Sequence, residues 1–163
     1  MVAGPLELQL RLGPAVTLSG AGTLNLSGTN TYLGETLLQS GILNLNGSLL
    51  GDLNIESSGT LSGNATVHGS LYSSGTISPG NSIGNVFTTD LYLTSTSVYD
   101  VEVNSAGGSD EIIASGVAQI SGGVVVTPDD VNFTTPLTYT IISTGTGVTG
   151  SFSSLSSLHQ TFS

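Results

Sequence analysis

Two carboxylates on one predicted strand are the first candidates for chemistry in this sequence. Asp100 and Glu102 are two residues apart in the alternating segment Val98–Val103. Side chains two apart on a strand share a face and stand about 7 Å apart, which could suit the acid pair of a glycosidase. The opposite face carries Tyr99 and two valines. Because no substrate-binding aromatic residues neighbour the pair, we favour a solvated acidic face over a catalytic site.

Two adjacent acidic pairs, Asp110-Glu111 and Asp129-Asp130, lie at the ends of predicted loops. Ca²⁺ prefers oxygen ligands from such loops. Neither pair has the spacing of an EF-hand or of a glycine-rich calcium-binding nonapeptide repeat. We therefore favour ordinary turn acids, with weak cation binding as the alternative. The sequence predicts no metal site and no cofactor.

The remaining candidates for catalysis lack partners in the sequence. His68 and His159 have no second His or acid close by, unlike a metal ligand or a general base. The stretch Gly80-Asn81-Ser82-Ile83-Gly84 lacks the strand-then-helix context that the nucleophile elbow of a hydrolase requires. Gly107-Gly108 is followed by no Lys and no predicted helix, so it is not a phosphate loop. We predict that the chain is not an enzyme.

Composition excludes several classes of partner. The 163-residue chain has a net charge of -10, only 7% charged residues and 37% hydrophobic residues. Arg11 is the only strong cation besides the N-terminus, so a nucleic acid would be repelled. No apolar run approaches the roughly 18 residues of a membrane helix, and we expect no membrane insertion. The absence of Cys excludes a disulfide framework.

A repeat of about 20 residues positions these side chains, a period typical of solenoids. A glycine opens a short strand-like segment four times at similar intervals, and a second strand-like piece lies between consecutive glycines. These glycines are Gly22, Gly41, Gly59 and Gly75. The pattern indicates a β-solenoid, and a parallel β-helix fits better than a leucine-rich repeat because no helical segment is visible. We expect Leu24 to stack on Leu43 and Leu43 on Leu61, about 4.8 Å apart.

The repeats end at a joint, after which longer apolar strands take over. The joint is Ser78-Pro79-Gly80-Asn81-Ser82-Ile83-Gly84. We predict three parts: residues 1–16, either a preceding coil or a leader foreign to the repeat; residues 17–85, repeat coils; and residues 86–163, a less regular cap. Residues 5–12 alternate as a strand would, and residues 137–142 form the most convincing strand of the chain.

The joint resembles the one found in passengers of autotransporters, the type V secretion systems of Gram-negative bacteria. Residues 28–36, with Asn30-Thr31-Tyr32 at their centre, are similar to the autotransporter-associated β-strand repeat, although Leu33 replaces the usual small polar residue. Residues 98–110 and 138–142 are similar to the block that follows in the same family. The resemblance covers roughly residues 17–152.

The resemblance implies an all-β, right-handed parallel β-helix carried to the bacterial cell surface by a C-terminal membrane β-barrel. In that family the block nearest the barrel often acts as an autochaperone that folds first and templates the coils behind it. Our first hypothesis is therefore a non-enzymatic structural stem and folding module. Its partners would be the remainder of its own passenger and the barrel, with a host surface or a second copy as further partners.

Two other hypotheses compete with the stem. The first is an adhesin segment that binds glycan or self-associates along ladders of Asn, Thr and Ser. The second is a β-helical polysaccharide-degrading enzyme, which would need clustered acids, cations and aromatic residues on one face. With Arg11 as the only strong cation, the enzyme hypothesis has the least support.

Overall fold

The structure is a computed structural model that describes residues 15–157, and these residues form sixteen β-strands and no helix. The predicted strand at 5–12, Arg11 and His159 lie outside the described residues. In chain order the strands are β1 (Val16–Leu18), β2 (Thr23–Asn30), β3 (Thr36–Leu49), β4 (Leu53–Gly63), β5 (Thr66–Val67), β6 (Leu71–Ser73), β7 (Thr76–Pro79), β8 (Asn85–Thr88), β9 (Leu91–Leu93), β10 (Val98–Val103), β11 (Glu111–Ala114), β12 (Val117–Ile120), β13 (Gly123–Pro128), β14 (Ile142–Thr144), β15 (Gly147–Gly150) and β16 (Ser154–Ser157).

The strands stack into three parallel ladders. The first ladder contains β1, the start of β3, the start of β4, β6, β9, β12 and β15. The second contains the first part of β2, the middle of β3, the end of β4, β7, β10, β13 and β16. The third contains the ends of β2 and β3, β5, β8, β11 and β14. Because each turn of the chain adds one strand to every ladder, the fold is a parallel β-helix, as predicted.

The interior is a set of apolar rows that run along the helix axis. One row passes through every coil of the second ladder: Leu24, Leu43, Leu61, Ile77, Tyr99, Val124 and Leu155. The inner members are at most 5% exposed, whereas Leu24 and Leu155 at the two ends are 38% and 74% exposed. The predicted stack of Leu24, Leu43 and Leu61 is confirmed. Each coil buries its apolar face only where a neighbouring coil covers it.

The repeat glycines lie where consecutive coils approach closely. Gly41 has φ of 84°, a conformation that side-chain-bearing residues rarely adopt, and it pairs with Gly59. A Cβ on Gly59 would lie 2.8 Å from Cγ of Leu38. Gly75 packs in turn against the backbone of Gly59, while Gly22, in the first coil, has open space around it. Gly41, Gly59 and Gly75 therefore allow close packing between coils.

The coils lengthen towards the C-terminus. Along the first ladder Leu71 pairs with Leu91, Leu91 with Ala118, and Ala118 with Val148, so each turn of the chain takes more residues than the one before it. The ladders continue without a break from β7 through the joint into β8, which pairs with β5. The division of the chain at residue 85 stays a prediction.

One predicted strand is wrong. Residues 137–141 are not a strand, and β14 begins only at Ile142. The neighbouring coil places the loop 104–110 at this position, so no strand edge is available for residues 137–141 to pair with. Instead the Tyr139 hydroxyl donates to the carbonyl of Asn104 at 2.7 Å.

The described residues also provide no apolar helix of the length needed to cross a bilayer.

Candidate functional site: the loop corner

Most of the polar residues that the sequence analysis named lie at the corner where the chain passes from the second ladder to the third. Its connections grow along the chain: residues 64–65, then 80–84, 104–110 and 129–141. We call the last three connections the loop corner. Their Gly, Asn, Ser, Asp and Pro residues favour turns. The joint and both acidic pairs lie at this corner, which the sequence alone did not bring together.

The joint forms a compact turn on the outside of the helix. Gly80 has φ of 72° and exchanges backbone hydrogen bonds with Gly63 at 3.0 and 3.4 Å. Gly84 is buried, and a Cβ there would lie 2.6 Å from Cα of Gly80. Asn81 and Ser82 face outward. Thus two glycines allow the turn to fold back on itself and present Ser82 to the next loops.

Asp110 is the buried centre of the loop corner. Its side chain is 0% exposed. One carboxylate oxygen accepts the backbone N–H of Gly84 at 2.7 Å, and the other accepts that of Glu102 at 2.8 Å. The carboxylate therefore connects the joint, β10 and the loop 104–110. The sequence predicted an ordinary turn acid here, and Asp110 does end a loop, but its burial between coils could not be inferred from a local pattern.

The environment of Asp110 disfavours its charged form. Burial raises the pKa of this carboxyl from 3.8 to about 6, against the opposing effect of the hydrogen bonds from Glu102 and Gly84. The nearby carboxylates of Glu102 and Asp100 raise it further. The pKa of Glu102 is raised too, first by burial and then by Asp129 and Asp100. None of the described residues forms an ion pair with this cluster.

A second set of contacts joins the two longest loops. Asp130 accepts hydrogen bonds from the backbone N–H and the hydroxyl of Ser105, at 3.1 and 2.9 Å. These contacts, led by the backbone N–H, lower the pKa of Asp130. Asp129 accepts from the Ser82 hydroxyl at 2.9 Å, across 47 residues of sequence. The loop 129–141 is therefore held to the loops of both preceding coils.

Two tyrosines fasten the loop 129–141 from opposite sides. Tyr99, fully buried in the second ladder, donates its hydroxyl proton to the carbonyl of Ile141 at 3.0 Å. Burial raises the pKa of this phenol. Tyr139 reaches back to Asn104, whose side-chain oxygen itself accepts from the backbone of Ala106 and Gly108. The aromatic residues of the corner thus hold backbone segments together.

Two other tyrosines lie on the outer face of the first ladder. The rings of Tyr72 and Tyr92 are stacked, with centroids 4.8 Å apart and planes 8° apart. The two strands β6 and β9 are paired, so this contact joins the outer faces of two successive coils.

The arrangement offers little to a catalytic mechanism. The apolar face of β10 is buried, and the opposite face holds Asp100 and Glu102 half-buried, with Asp100 accepting a hydrogen bond from the Thr127 hydroxyl at 2.9 Å. Ser82 lies in a strand–loop–strand segment, and its described hydroxyl partner is Asp129. Within residues 15–157 the imidazole of His68 makes no hydrogen bond, and a Ser–His–acid relay needs one on each side.

The described residues also form no framework that would hold a metal ion or enclose a small molecule. Within residues 15–157, no group of three or more His, Asp or Glu residues could hold a metal ion. Four surface grooves have volumes of 200 to 410 Å³, and none of the four includes an Asp or Glu in its lining. Enzyme pockets usually bring several polar groups together in a concave site. What the loop corner can do is hold coils together.

Comparison with known proteins identifies two similar extracellular proteins. No protein-family model matches it. Two proteins of Serratia marcescens, each described as an extracellular serine protease, are 39% identical over 149 residues and 33% identical over 157 residues. Both alignments cover 84% of this chain but only 14% of the relative. The chain is therefore homologous to one limited segment of extracellular serine proteases from Serratia marcescens.

Proposed function

We propose that the chain is a non-enzymatic stem and folding module of an autotransporter passenger, displayed at the bacterial surface or secreted. The observation that carries this proposal is one continuous β-helix whose last coils are fastened together at the loop corner around Asp110. The partners would be the rest of the passenger and a C-terminal membrane β-barrel. Similarity to extracellular proteins supports the export of the segment.

The folding role rests on contacts that only the C-terminal coils possess. In the early coils β3 continues around this corner as a single strand, so few side chains are needed to hold it. In the late coils Asp110, Asp130, Tyr99 and Tyr139 bridge long loops. These contacts stabilise the C-terminal coils as a unit, and a formed unit offers its edge to the next coil. Adding a coil to an existing edge avoids the costly closure of a non-local strand pair.

The non-enzymatic part of the proposal concerns this segment and not the whole protein. The relatives are serine proteases, but the chain spans 14% of their length. The segment's candidate nucleophile, Ser82, is engaged by Asp129 and has no imidazole partner among the described residues. A protease activity of the full protein would then reside in other segments.

The adhesin alternative depends on the exposed Asn residues of the early coils. Asn44 donates its side-chain amide to Asn25 at 2.8 Å, and Asn46 donates to Asn44 at 2.9 Å. The first bond joins two coils and the second lies within β3, and a glycan would have to replace both bonds. This observation favours a stabilising ladder over a binding surface.

Urea unfolding followed by circular dichroism tests the folding role. We would compare the whole chain, residues 1–85 and residues 86–163. We expect cooperative transitions for the whole chain and for residues 86–163, and none for residues 1–85. Cooperative unfolding of residues 1–85 together with an unstructured C-terminal half would contradict the proposal. In the full passenger, normal display of folded protein after deletion of residues 86–163 would also count against it.

A further inference from the structure

A shallow groove lies on the outer face of the third ladder, in the middle of the β-helix. It has a volume of about 200 Å³ and crosses three successive strands, β5, β8 and β11. Because β8 is paired on both sides, no additional coil at either end of the helix could cover the side chains that β8 turns outward. The residues used below are Thr66, His68, Phe87, Thr89, Ile113 and Ser115, all in the lining of the groove.

Phe87 is the apolar centre of the groove. Its side chain is 43% exposed, whereas its neighbours Val86 and Thr88 point into the helix. Phe87 pairs with Thr66 in one neighbouring strand and with Ile113 in the other. The ladder on both sides fixes the backbone that carries the ring. A ligand that contacts this ring therefore meets a surface that is ordered before binding.

Polar groups without partners border the ring. His68, Thr89 and Ser115 follow β5, β8 and β11, and all three are exposed. Within residues 15–157 the Thr66 hydroxyl and the His68 imidazole make no hydrogen bond. The Thr89 hydroxyl donates to the His68 carbonyl at 2.7 Å and can still accept a bond. Hydroxyl groups and a neutral imidazole can each donate and accept, so the border suits a ligand with hydroxyl groups.

The chemistry of the groove matches a sugar. A sugar ring has an apolar face of C–H groups that can lie on an aromatic ring, and hydroxyl groups at its edge that both donate and accept. The lining contains no Asp, Glu, Lys or Arg, and the chain carries a net charge of -10 that repels acidic glycans. The groove is open outward, so it contacts one residue of a glycan chain from one side and does not enclose a small molecule.

We propose that this groove binds a sugar residue of a neutral glycan, with the sugar ring on Phe87 and its hydroxyl groups bonded by Thr66 and His68. The site is separate from the exposed Asn residues of the early coils. It goes beyond the stem and folding function, which depends on contacts between coils. A single sugar subsite binds weakly, so many copies of the glycan must be displayed together for the binding to be measured.

Binding of the 163-residue chain to immobilised polysaccharides tests the proposal. The neutral probes are polymers of glucose, mannose, galactose or N-acetylglucosamine, and the acidic probes are polymers that contain uronic or sialic acid. We expect binding to at least one neutral polymer and much weaker binding to every acidic one. A chain that binds no neutral polymer, or binds acidic polymers equally well, overturns the proposal.

Phe87→Leu tests the position of the site, because it removes the ring and keeps an apolar side chain on β8. We expect its affinity for the bound polymer to fall about tenfold. Tyr72→Leu is the matched control: Tyr72 is 39% exposed, close to Phe87, but lies on the first ladder, and this variant should bind as the unchanged chain does. Unchanged binding by Phe87→Leu, or an equal loss in both variants, would place the contact elsewhere and overturn the proposal.

Thr66→Val provides a second test that leaves the ring in place. It keeps the shape of the side chain and removes the hydroxyl, and we expect a several-fold loss of affinity. Circular dichroism establishes that each variant is folded, and Thr66→Val decides the question if Phe87→Leu is not. Urea unfolding of the folded variants should match that of the unchanged chain. Failure of glycan binding is therefore distinguishable from failure of the folding role, which the urea experiment measures without a ligand.

Discussion

The carboxylate of Asp110 accepts the backbone N–H of Gly84 at 2.7 Å, across 26 residues of sequence. Gly84 ends the joint that separates the regular repeats from the longer coils, and Asp110 ends the next loop of the same corner. This hydrogen bond connects the most recognisable motif of the sequence to a residue that no local pattern marked as buried. One side chain thus joins two successive coils at this corner.

Removing the Asp110 carboxylate should destabilise the chain. Asp110→Ala leaves the buried N–H groups of Gly84 and Glu102 without acceptors, and we expect a loss of about 2 kcal/mol in the free energy of unfolding. The measurement is urea unfolding at pH 5, where most Asp110 is neutral in the folded state. Asp129→Ala is the control, since Asp129 is exposed and should cost less than about 0.5 kcal/mol. Equal losses for both variants would contradict a special role for Asp110.

Stability should decrease as the pH rises through the titration of Asp110. The folded state holds the proton more tightly, because the pKa of the carboxyl rises from 3.8 to about 6. The stabilisation of the protonated form is complete below pH 3.8 and is lost as the pH rises through 6, a change of about 3 kcal/mol at most. Glu102, with a raised pKa, acts in the same direction, whereas Asp130, with a lowered pKa, acts in the opposite one.

Asp110→Asn isolates this contribution, because the amide does not titrate. Between pH 4 and pH 7.5, the free energy of unfolding in urea should depend on pH much less in the variant than in the unchanged chain. If both proteins lose the same stability over this range, the dependence arises from other carboxylates.

The repeat architecture could be predicted because its signals are local. A glycine opening each segment and alternating Leu residues are visible in short windows, and the stack of Leu24, Leu43 and Leu61 follows from their spacing. The loop corner could not be predicted, since it depends on which residues of different coils meet. That pairing changes with coil length, which increases from coil to coil in the later part of the first ladder, from β6 to β15.

Residues 137–141 show why alternation alone misled the strand prediction. Alternating residues form a strand only if a neighbouring edge accepts their hydrogen bonds, and the previous coil has a loop there. Tyr139 and Ile141 instead contribute a hydroxyl and a carbonyl to the corner. The alternation indicated which side chains face the protein. The backbone of residues 137–141 is irregular because no partner strand lies beside it.

Gly84 should not tolerate a side chain. A Cβ there would lie 2.6 Å from both Cα of Gly80 and the side-chain oxygen of Asn64, so Gly84→Ala must displace the joint. We expect a loss of about 1 to 3 kcal/mol in the free energy of unfolding. Gly22→Ala is a matched control within the repeat, because a Cβ at Gly22 meets nothing within 4 Å. A loss at Gly22 as large as that at Gly84 would mean that contacts around the joint do not determine the effect.

Chymotrypsin should cleave the loop 129–141 before it cleaves the strands of the third ladder, and the hydrogen bond of the Tyr139 hydroxyl should slow cleavage of this loop. Phe133 and Leu137 are 38% and 39% exposed in a segment without strand pairing, whereas Phe87 is 43% exposed but lies in β8 between two paired strands. A protease needs a locally extended, mobile substrate, so exposure alone does not make Phe87 a site. Mass spectrometry of early fragments should therefore find cleavage within 133–137 before cleavage at Phe87.

Tyr139→Phe removes the bond to Asn104, and we expect faster cleavage of this loop with an unchanged rate at Phe87. Initial cleavage at Phe87 would show that the strands of the third ladder open more readily than the loop corner.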